Sequence, residues 1–288
     1  MSNSFLKLIE CPRDGMQGLH HFIPTELKIN YINLLLKCGF DTLDMGSFVS
    51  PKIIPQLSDT SEVLEGIELD SDTKLLTIVA NRQGAKTAME YDSINYLGYP
   101  FSISETFQQR NINKSIDASM VLLDELYNIV APRKKELVLY LSIGFGNPYG
   151  DLWSEELVLE WVDELNRNFE PSIIAISDTI ACANPMQVER LFNSLNNSFP
   201  NIEFGAHLHV LPDNVEALSS AAFRGGCRRF DSVIKGFGGC PMAKDDLTGN
   251  MPTELLIDWM NKNNLDHGIN KAAFNRAMIL SHDVFKSN

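Results

Sequence analysis

The chain has 288 residues, 44% of them hydrophobic, and its 37 acidic residues outnumber the 24 basic ones to give a net charge of −13. This negative charge disfavours nonspecific binding to nucleic-acid phosphates, so we expect no nucleic-acid partner. No stretch approaches the roughly 18 uninterrupted apolar residues that a membrane span requires. The N-terminus also lacks the basic and apolar regions of a secretion signal. We therefore expect a cytoplasmic protein with no membrane partner.

The five cysteines are scattered, odd in number and without a CxxC pair, which argues against a disulfide framework or a zinc ribbon. Closed α/β barrels reach about 250 residues as one unit, so the length is compatible with one domain. No linker or low-complexity segment separates two halves of the chain. We predict a single domain over residues 1–288.

Short apolar runs alternate with stretches of helical spacing along the chain. Eight runs are strand candidates, in order FLKLIECP, FDTLDMGSF, KLLTIVA, SINYLGYPFSIS, ELVLYLSIGFG, IIAISD, EFGAHLHV and RRFDSVIKGFG. The helical stretches include TELKINYINLLLKCG, SIDASMVLLDELYNIVA, SEELVLEWVDELNRNF, NPMQVERLFNSLNNSF and PDNVEALSSAAFRGG. Such alternation indicates parallel strands joined by crossover helices, and eight units favour an α/β fold of the closed (β/α)8 TIM-barrel type over an open sheet.

A C-terminal helical extension follows the eighth strand. GNMPTELLIDWMNKNN predicts a helix that closes the outer ring of the barrel. The last stretch, NKAAFNRAMILSHDVF, has an apolar stripe that suits either the barrel surface or a second subunit. The sequence does not separate these two uses.

Polar and titratable residues recur where the predicted strands end, which is the end of a (β/α)8 barrel that carries the chemistry. These residues are Arg13, Asp14, Asp44, Asp178, His207 and His209. Because side chains alternate along a strand, the two histidines of GAHLHV point the same way. Together with Asp14 they would form a ligand set for a divalent ion that keeps positions open for substrate.

Each of these residues also has a purely structural interpretation. Arg13 and Asp14 would form an ion pair in a loop, Asp44 and Asp178 would cap the following helices, and the histidines would bond to backbone groups. For each carboxylate taken alone the structural interpretation is favoured. Their joint position at one end of the barrel favours a functional site.

The loop after the eighth strand, GFGGCPMAKDDLTGN, joins several glycines to the thiol of Cys240. The glycines indicate either a close approach of backbone to a ligand or a tight connection, and the loop alone does not decide. Cys240 suits a proton donor on a lid, although a lone cysteine is more often an inert apolar residue. The GFGG of this loop is not followed by the strand-to-helix turn that a dinucleotide-binding motif requires. We therefore expect no dinucleotide or other redox cofactor.

Taken in order, these segments resemble the 3-hydroxy-3-methylglutaryl-CoA (HMG-CoA) lyases of the DRE-TIM metallolyase superfamily. PRDGMQ is similar to that family's PRDGLQ, GSFVSPKIIPQLSD to SFVSPKWVPQMAD, and SISETFQQRNINKSI to SASELFTKKNIN-SI. SDTIACANP is similar to GDTIGVGTP, AHLHV to HxHD, and GFGGCPMAK…TGNMPTEL to GLGGCPYAxGASGNVATEDL. The resemblance covers nearly the whole chain.

The resemblance implies roles for ten residues. The ligands of Mg2+ or Mn2+ would be Asp14, His207, His209 and Asn250. The catalytic residues would be Arg13, Cys240 and Asp178. The substrate-binding residues would be Gln17, Asp44 and Glu254.

The implied reaction is the retro-Claisen cleavage of HMG-CoA to acetyl-CoA and acetoacetate. A base would remove the proton of the tertiary hydroxyl, which the cation acidifies, and collapse of the alkoxide would release an acetyl-CoA enolate beside Arg13. A proton from the region of Cys240 would then quench the enolate. The expected partner is an acyl-CoA thioester, and the family suggests a homodimer.

Several positions depart from the family pattern. Asp44 replaces a glutamate, Val210 replaces the aspartate after the second histidine, and Gly18 and Leu19 replace Asn-Glu. NPYGD replaces Cys-Pro-Tyr-Glu-Gly, and the stretch from Cys240 to Asn250 is one residue longer. These changes leave open a related lyase or aldolase for another hydroxyacyl-CoA or hydroxy acid. A noncatalytic barrel is a third hypothesis, against which the intact ligand and catalytic positions argue.

Overall fold

The eight predicted strands form a closed barrel. The computed structural model describes residues 5–239 and 249–286. The strands are β1 (Lys7–Glu10), β2 (Thr42–Ser47), β3 (Lys74–Ile78), β4 (Ile94–Ser102), β5 (Glu136–Ser142), β6 (Ile173–Asp178), β7 (Glu203–Leu208) and β8 (Arg229–Ser232). They follow one another around the barrel in chain order, and β8 closes on β1 with Phe230 opposite Leu8. The predicted TIM barrel is confirmed.

Helices follow the strands on the outside of the barrel. They are α1 (Pro12–Gln17), α2 (Thr25–Leu36), α3 (Thr60–Gly66), α4 (Arg82–Ala88), α5 (Glu105–Ile112), α6 (Ile116–Val130), α7 (Glu155–Phe169), α8 (Pro185–Ser198), α9 (Val215–Arg224), α10 (Thr253–Lys262) and α11 (Lys271–Val284). Among the helices described, none has both the length and the apolar character needed to cross a membrane.

Local sequence chemistry explains where several of these helices begin. Ser115, Ser154 and Asn184 each accept a hydrogen bond from the backbone N–H three residues further on. Such N-caps satisfy amide groups that have no partner inside the helix. The helix starts therefore follow from the sequence alone, as the cap residues indicate.

Apolar burial divides into an outer layer and an inner cluster. In the outer layer the strands pack against the helices, as where Phe230 of β8 meets Trp259 of α10 with ring centroids 5.9 Å apart. A smaller cluster fills the inside of the barrel and contains Leu76, Ile78, Tyr96, Val138, Tyr140, Ile173 and Ala175. These residues come from β3 to β6. A third, smaller cluster joins Ile9 of β1 to Cys11 and Val233.

The C-terminal helix α11 covers the barrel. Phe274 packs edge-on against Phe40 at 6.3 Å, and Phe285 just beyond the helix contacts Tyr31 at 5.9 Å. Phe285 also stacks on Phe237, 4.4 Å away in the loop after β8. Of the two uses that the sequence left open for this stripe, the structure shows attachment to the barrel.

Candidate active site

A cavity of about 660 Å³ opens at the C-terminal end of the barrel. This volume lies within the range of small-molecule sites. Its wall includes the predicted site residues Arg13, Asp14, Gln17, His207 and His209. The closed barrel brings α1 and the end of β7 to one wall, although almost 200 residues separate them in the sequence.

Asp14, His207 and His209 form a compact cluster on this wall. One ligand atom from each residue lies within 4.8 Å of the others, and all three residues are buried. Nε2 of His207 is 3.5 Å from Oδ2 of Asp14. Burial raises the pKa of Asp14, but the positive charges of Arg13 and the histidines outweigh it and hold the pKa below its ordinary value. The carboxylate is therefore ionised and ready to bind a cation.

Asn250 completes the predicted ligand set. Its backbone forms an antiparallel bridge with His209, and its Nδ2 donates to the carbonyl of Phe237 at 2.9 Å. The side chain is also hydrogen-bonded to Asp14. Because the amide N–H groups serve these acceptors, the amide oxygen is the atom left to bind a cation. Two imidazoles, a carboxylate and an amide oxygen fit a divalent metal ion.

Gly238 shows why the loop after β8 needs glycine. Its φ of +87° is costly for other residues, and an added Cβ would lie 2.7 Å from the carbonyl oxygen of Asp14. The same Cβ would lie 3.0 Å from Nδ2 of Asn250. The loop therefore packs tightly against two of the predicted metal-binding residues, and Gly238 serves this tight connection.

Arg13 is held by hydrogen bonds in a fixed direction. Its Nε donates to both carboxylate oxygens of Asp44, at 3.2 and 3.0 Å, and Nη2 also bonds to Asp44. Nη1 donates to Asp14 at 3.2 Å and to Gln17 at 3.1 Å. Burial lowers the pKa of Arg13, but Asp44 and Asp14 outweigh it and raise the pKa above its ordinary value. The guanidinium is a permanent cation on the cavity wall.

The arrangement explains how Arg13 is presented. The sequence interpretation allowed a loop, whereas the structure places Arg13 on the short helix α1, which begins with Pro12. On a helix, residues four apart share a face, so Gln17 reaches Arg13 and also bonds to Asp14. Asp44 is fully buried and lies behind Arg13, outside the described cavity wall. The shorter side chain that replaces the family's glutamate still holds the guanidinium through two oxygens.

Asp178 and Glu254 bind backbone groups. Asp178 accepts hydrogen bonds from the amides of Ile180, Cys182 and Ala183, at 3.2, 3.2 and 2.8 Å. Its carboxylate thus shapes the loop before α8, and the residues flanking it, Ser177 and Thr179, line the cavity. Glu254 accepts from the amide of Lys235 at 2.9 Å.

A catalytic role for Asp178 and a substrate contact for Glu254 stay predictions. Cys240, the predicted proton donor, lies outside the described residues, as does the longer loop that follows it.

Two residues beside His207 were not selected from the sequence. Asp231 of β8 lies 3.1 Å from Nδ1 of His207, and its charge and hydrogen bond outweigh burial to raise the pKa of that histidine. Tyr140 of β5 lines the cavity and meets the His207 ring edge-on at 5.4 Å. The sequence pattern that could have identified Asp231 is the alternation of side chains along a strand, which places it on the inner face of β8, beside β7.

The mouth of the cavity carries positive charge. Arg110 and Lys114, at the end of α5 and just beyond it, belong to its wall. The guanidinium of Arg110 lies over the ring of Tyr149 at 4.9 Å. Asp151 accepts hydrogen bonds from the amide and the hydroxyl of Thr106, at 3.0 and 2.9 Å, at the start of α5. The altered NPYGD segment therefore holds both ends of the helix that forms the mouth.

Comparison with known proteins agrees with this geometry. The HMGL-like family matches residues 7–280. A hydroxymethylglutaryl-CoA lyase of Bacillus subtilis is 34% identical over 85% of this chain and 81% of its own length. The cytoplasmic 3-hydroxy-3-methylglutaryl-CoA lyase of Homo sapiens is 31% identical over 92% of this chain and 71% of its own length.

A solved structure shows the same relationship. An HMG-CoA lyase from Acinetobacter baumannii, in complex with coenzyme A and 3-methylmalate, matches with a TM-score of 0.90 at 30% identity. The match covers 100% of this chain and 95% of that one. The resemblance inferred from the motifs is confirmed, and the chain belongs to the HMGL-like family.

Proposed function

We propose that this protein is a divalent-metal-dependent carbon–carbon lyase that cleaves HMG-CoA to acetyl-CoA and acetoacetate. The observation that carries the proposal is the convergence of Asp14, His207, His209 and Asn250 beside Arg13 at one cavity. Membership of the HMGL-like family supports a lyase, and the relatives named as HMG-CoA lyases support the substrate.

Asp14, His207, His209 and Asn250 would hold Mg2+ or Mn2+. When bound, the cation acidifies the tertiary hydroxyl of the substrate and polarises a neighbouring oxygen. The ligand side chains are pre-positioned: β7 holds His207, the backbone bridge to Asn250 holds His209 just beyond the strand, and α1 holds Asp14 beside them. Little reorganisation is needed to bind the cation, which favours tight and selective binding.

Arg13 would stabilise the negative charge of the acetyl-CoA enolate as the carbon–carbon bond breaks. Asp44 and Gln17 fix the direction of its guanidinium before substrate arrives, so no reorientation is needed during the reaction. Because Asp44 and Asp14 raise its pKa, Arg13 keeps its proton and acts through charge. A separate group must therefore protonate the enolate, and we propose Cys240 for that step.

We infer that the CoA portion of the substrate occupies the mouth of the cavity. Arg110 and Lys114 bring positive charge there, which suits the phosphate groups of a CoA thioester despite the acidic surface as a whole. Tyr149 under Arg110 limits the freedom of that guanidinium. The related lyase solved with coenzyme A supports an acyl-CoA substrate.

The first experiment measures acetoacetate release from HMG-CoA by metal-stripped protein, with and without added Mg2+ or Mn2+. We expect release only with metal, and we expect Asp14→Ala to lose both metal and activity. The matched control is Asp124→Asn, which alters an exposed carboxylate on α6. If folded, metal-loaded protein releases no acetoacetate, the substrate proposal fails, and a panel of other hydroxyacyl-CoA thioesters tests the related-lyase alternative.

We also propose that the protein works in the cytoplasm. The supporting observation is that the structure has free thiols, rather than disulfides, at Cys11, Cys38, Cys182 and Cys227. Thiols persist in the reducing environment of that compartment. The homodimer stays a prediction, which light scattering on the purified protein checks directly.

A further inference from the structure

His207 has separate partners at its two ring nitrogens. Nε2 faces Asp14, at 3.5 Å, on the side of the cavity. Nδ1 faces Oδ2 of Asp231, at 3.1 Å. In a neutral imidazole one nitrogen carries the proton and the other offers a lone pair. The partner at Nδ1 therefore determines whether Nε2 is free to bind a cation.

Asp231 also belongs to a second group of candidate ligands, with Cys11 and His207, whose ligand atoms lie within 4.8 Å of one another. Cys11 is wholly buried and Asp231 is 3% exposed. Neither residue is on the described wall of the cavity, whereas Asp14, His207 and His209 are. A cation in the second group would be out of reach of substrate, so Asp231 is better suited to accept a hydrogen bond from His207 than to bind metal.

Arg229 places a positive charge near Asp231 inside the barrel. The two residues are two apart on β8 and so share its inner face. Arg229 is 1% exposed, and Asp231 is the anion that does most to raise its pKa. Its side chain crosses in front of Gly205 of β7, where an added Cβ would lie 3.2 Å from Cδ of Arg229. Gly205 thus leaves the room that Arg229 occupies.

We propose that Asp231 is a positioning residue that accepts the Nδ1–H of His207 and so presents Nε2 to the metal, while Arg229 balances the charge of Asp231. A carboxylate in this position fixes both the tautomer and the ring orientation of a metal-binding histidine. The family pattern has an aspartate after the second histidine, where this chain has Val210. Asp231 supplies a carboxylate to the first histidine from the neighbouring strand.

This inference rests on the metal site proposed above, and the first test works without metal. Nitrogen-15 NMR of the metal-free wild type reads the tautomer of each histidine, and comparison with His207→Gln assigns the signal of His207. We expect a proton on Nδ1 and a bare Nε2. The spectra are recorded at a pH high enough for the ring to be neutral, and a neutral ring with its proton on Nε2 in the wild type overturns the proposal, whatever any variant does.

The second test is titration of metal-stripped protein with Mn2+. Asp231→Asn keeps the shape of the side chain, and we expect about 10–100-fold weaker Mn2+ binding. The matched control is Asp59→Asn, which changes an equally buried carboxylate that pairs with Lys28 at 2.6 Å. Wild-type affinity in Asp231→Asn overturns the proposal. Failure of the wild type to bind Mn2+ instead overturns the metal site, and the tautomer measurement still decides the role of Asp231.

The role of Arg229 is tested by a double-mutant cycle in the same titration. We expect Arg229→Met to weaken Mn2+ binding several-fold, and to have no further effect when Asp231→Asn is already present. Non-additivity of this kind shows that one residue acts through the other. If the two losses add in full, Arg229 does not act through Asp231 and that part of the proposal is wrong.

Discussion

Two buried arginines inside this barrel are bonded in opposite ways. Arg13, at the cavity, is 7% exposed, and Nε, Nη1 and Nη2 all donate hydrogen bonds to Asp44, Asp14 or Gln17. Arg229, at the start of β8, is 1% exposed, and none of its guanidinium nitrogens has a hydrogen-bond partner among the described residues. Its nearest carboxylate contact is Asp41, 3.6 Å from Nη1.

The comparison separates two ways in which a buried cation contributes to a site. Hydrogen bonds to a planar guanidinium fix its direction, as a group that faces a reacting substrate requires. Coulomb attraction acts over several ångströms and needs no particular orientation. Arg13 therefore has the properties of a directed group, and Arg229 those of a background charge.

The largest expected difference between the two arginines is in turnover. Arg13→Met should lower kcat for HMG-CoA cleavage by about 10²–10³-fold, the usual loss when one donor to a developing oxyanion is removed. Binding of Mn2+ should fall by less than kcat does, since the four proposed ligands remain and only one hydrogen bond to Asp14 is lost. The checks are acetoacetate release and Mn2+ titration. Loss of metal together with activity would mean that Arg13 acts by holding Asp14.

The second expected difference is in stability. Arg13→Met leaves the buried carboxylate of Asp44 without its cation, which should lower the free energy of unfolding by about 3 kcal/mol. Arg229→Met removes the charge that balances Asp231 but breaks no hydrogen bond, so the loss should be smaller than for Arg13→Met, about 1 kcal/mol. Urea unfolding with EDTA present measures both variants. Equal losses would show that hydrogen bonding does not distinguish the two sites.

Glu10 extends the comparison to a buried group that is hydrogen-bonded and yet neutral. Burial raises its pKa from 4.5 to about 8, although the hydroxyl of Thr253 and the amide of Ile234 oppose the shift. The folded state then holds a proton that the unfolded state releases. The stability contributed is complete below about pH 4.5 and is lost as pH rises through about 8, with a slope of up to about 1.4 kcal/mol per pH unit.

Glu10→Gln removes this titration and keeps the shape of the side chain. The difference in unfolding free energy between Glu10→Gln and wild type should therefore shift in favour of the variant as pH rises from 5 to 8. Urea unfolding across that range measures it. A pH-independent difference would show that Glu10 is ionised in the folded protein.

The smallest expected effect concerns Arg110, a third arginine, which lies at the mouth of the cavity. Asp151→Ala removes the hydrogen bonds to Thr106 at the start of α5, a loss of about 1 kcal/mol of the kind seen at helix N-caps. We expect a KM for HMG-CoA a few-fold higher with kcat unchanged, because α5 carries Arg110 and leads into Lys114. A fall in kcat alone would place the effect at the cleavage step instead.

Some of the site followed from the sequence because the information is local. HxH in a strand segment puts two imidazoles on one face, and Arg13 and Asp14 fall where the first predicted strand ends. Asn250 required the family resemblance, because it lies 41 residues beyond His209 and no spacing rule connects them. The structure joins the two by a backbone bridge.

Other contacts had no local signal. Asp44 appeared as a substrate-binding residue, and only the pairing of β1 with β2 shows that it lies behind Arg13. Asp178 appeared catalytic, and only the course of the loop after β6 shows three amides directed at its carboxylate. The sequence shows which residues carry charge, whereas only the fold determines which group each charged side chain contacts.

The sequence by itself determined the barrel, its strand order and three metal-ligand candidates, Asp14, His207 and His209, because strand and helix periodicity are properties of neighbouring residues. Tertiary structure alone decided that Asp231 meets Nδ1 of His207. It also decided that all three guanidinium nitrogens of Arg13 donate hydrogen bonds, while those of Arg229 have no hydrogen-bond partner among the described residues. Those contacts depend on the register of adjacent strands in the closed barrel, which sets the inward-facing residues that lie at the same level along the barrel axis. That register is a global property of eight paired strands, and no short stretch of sequence contains it.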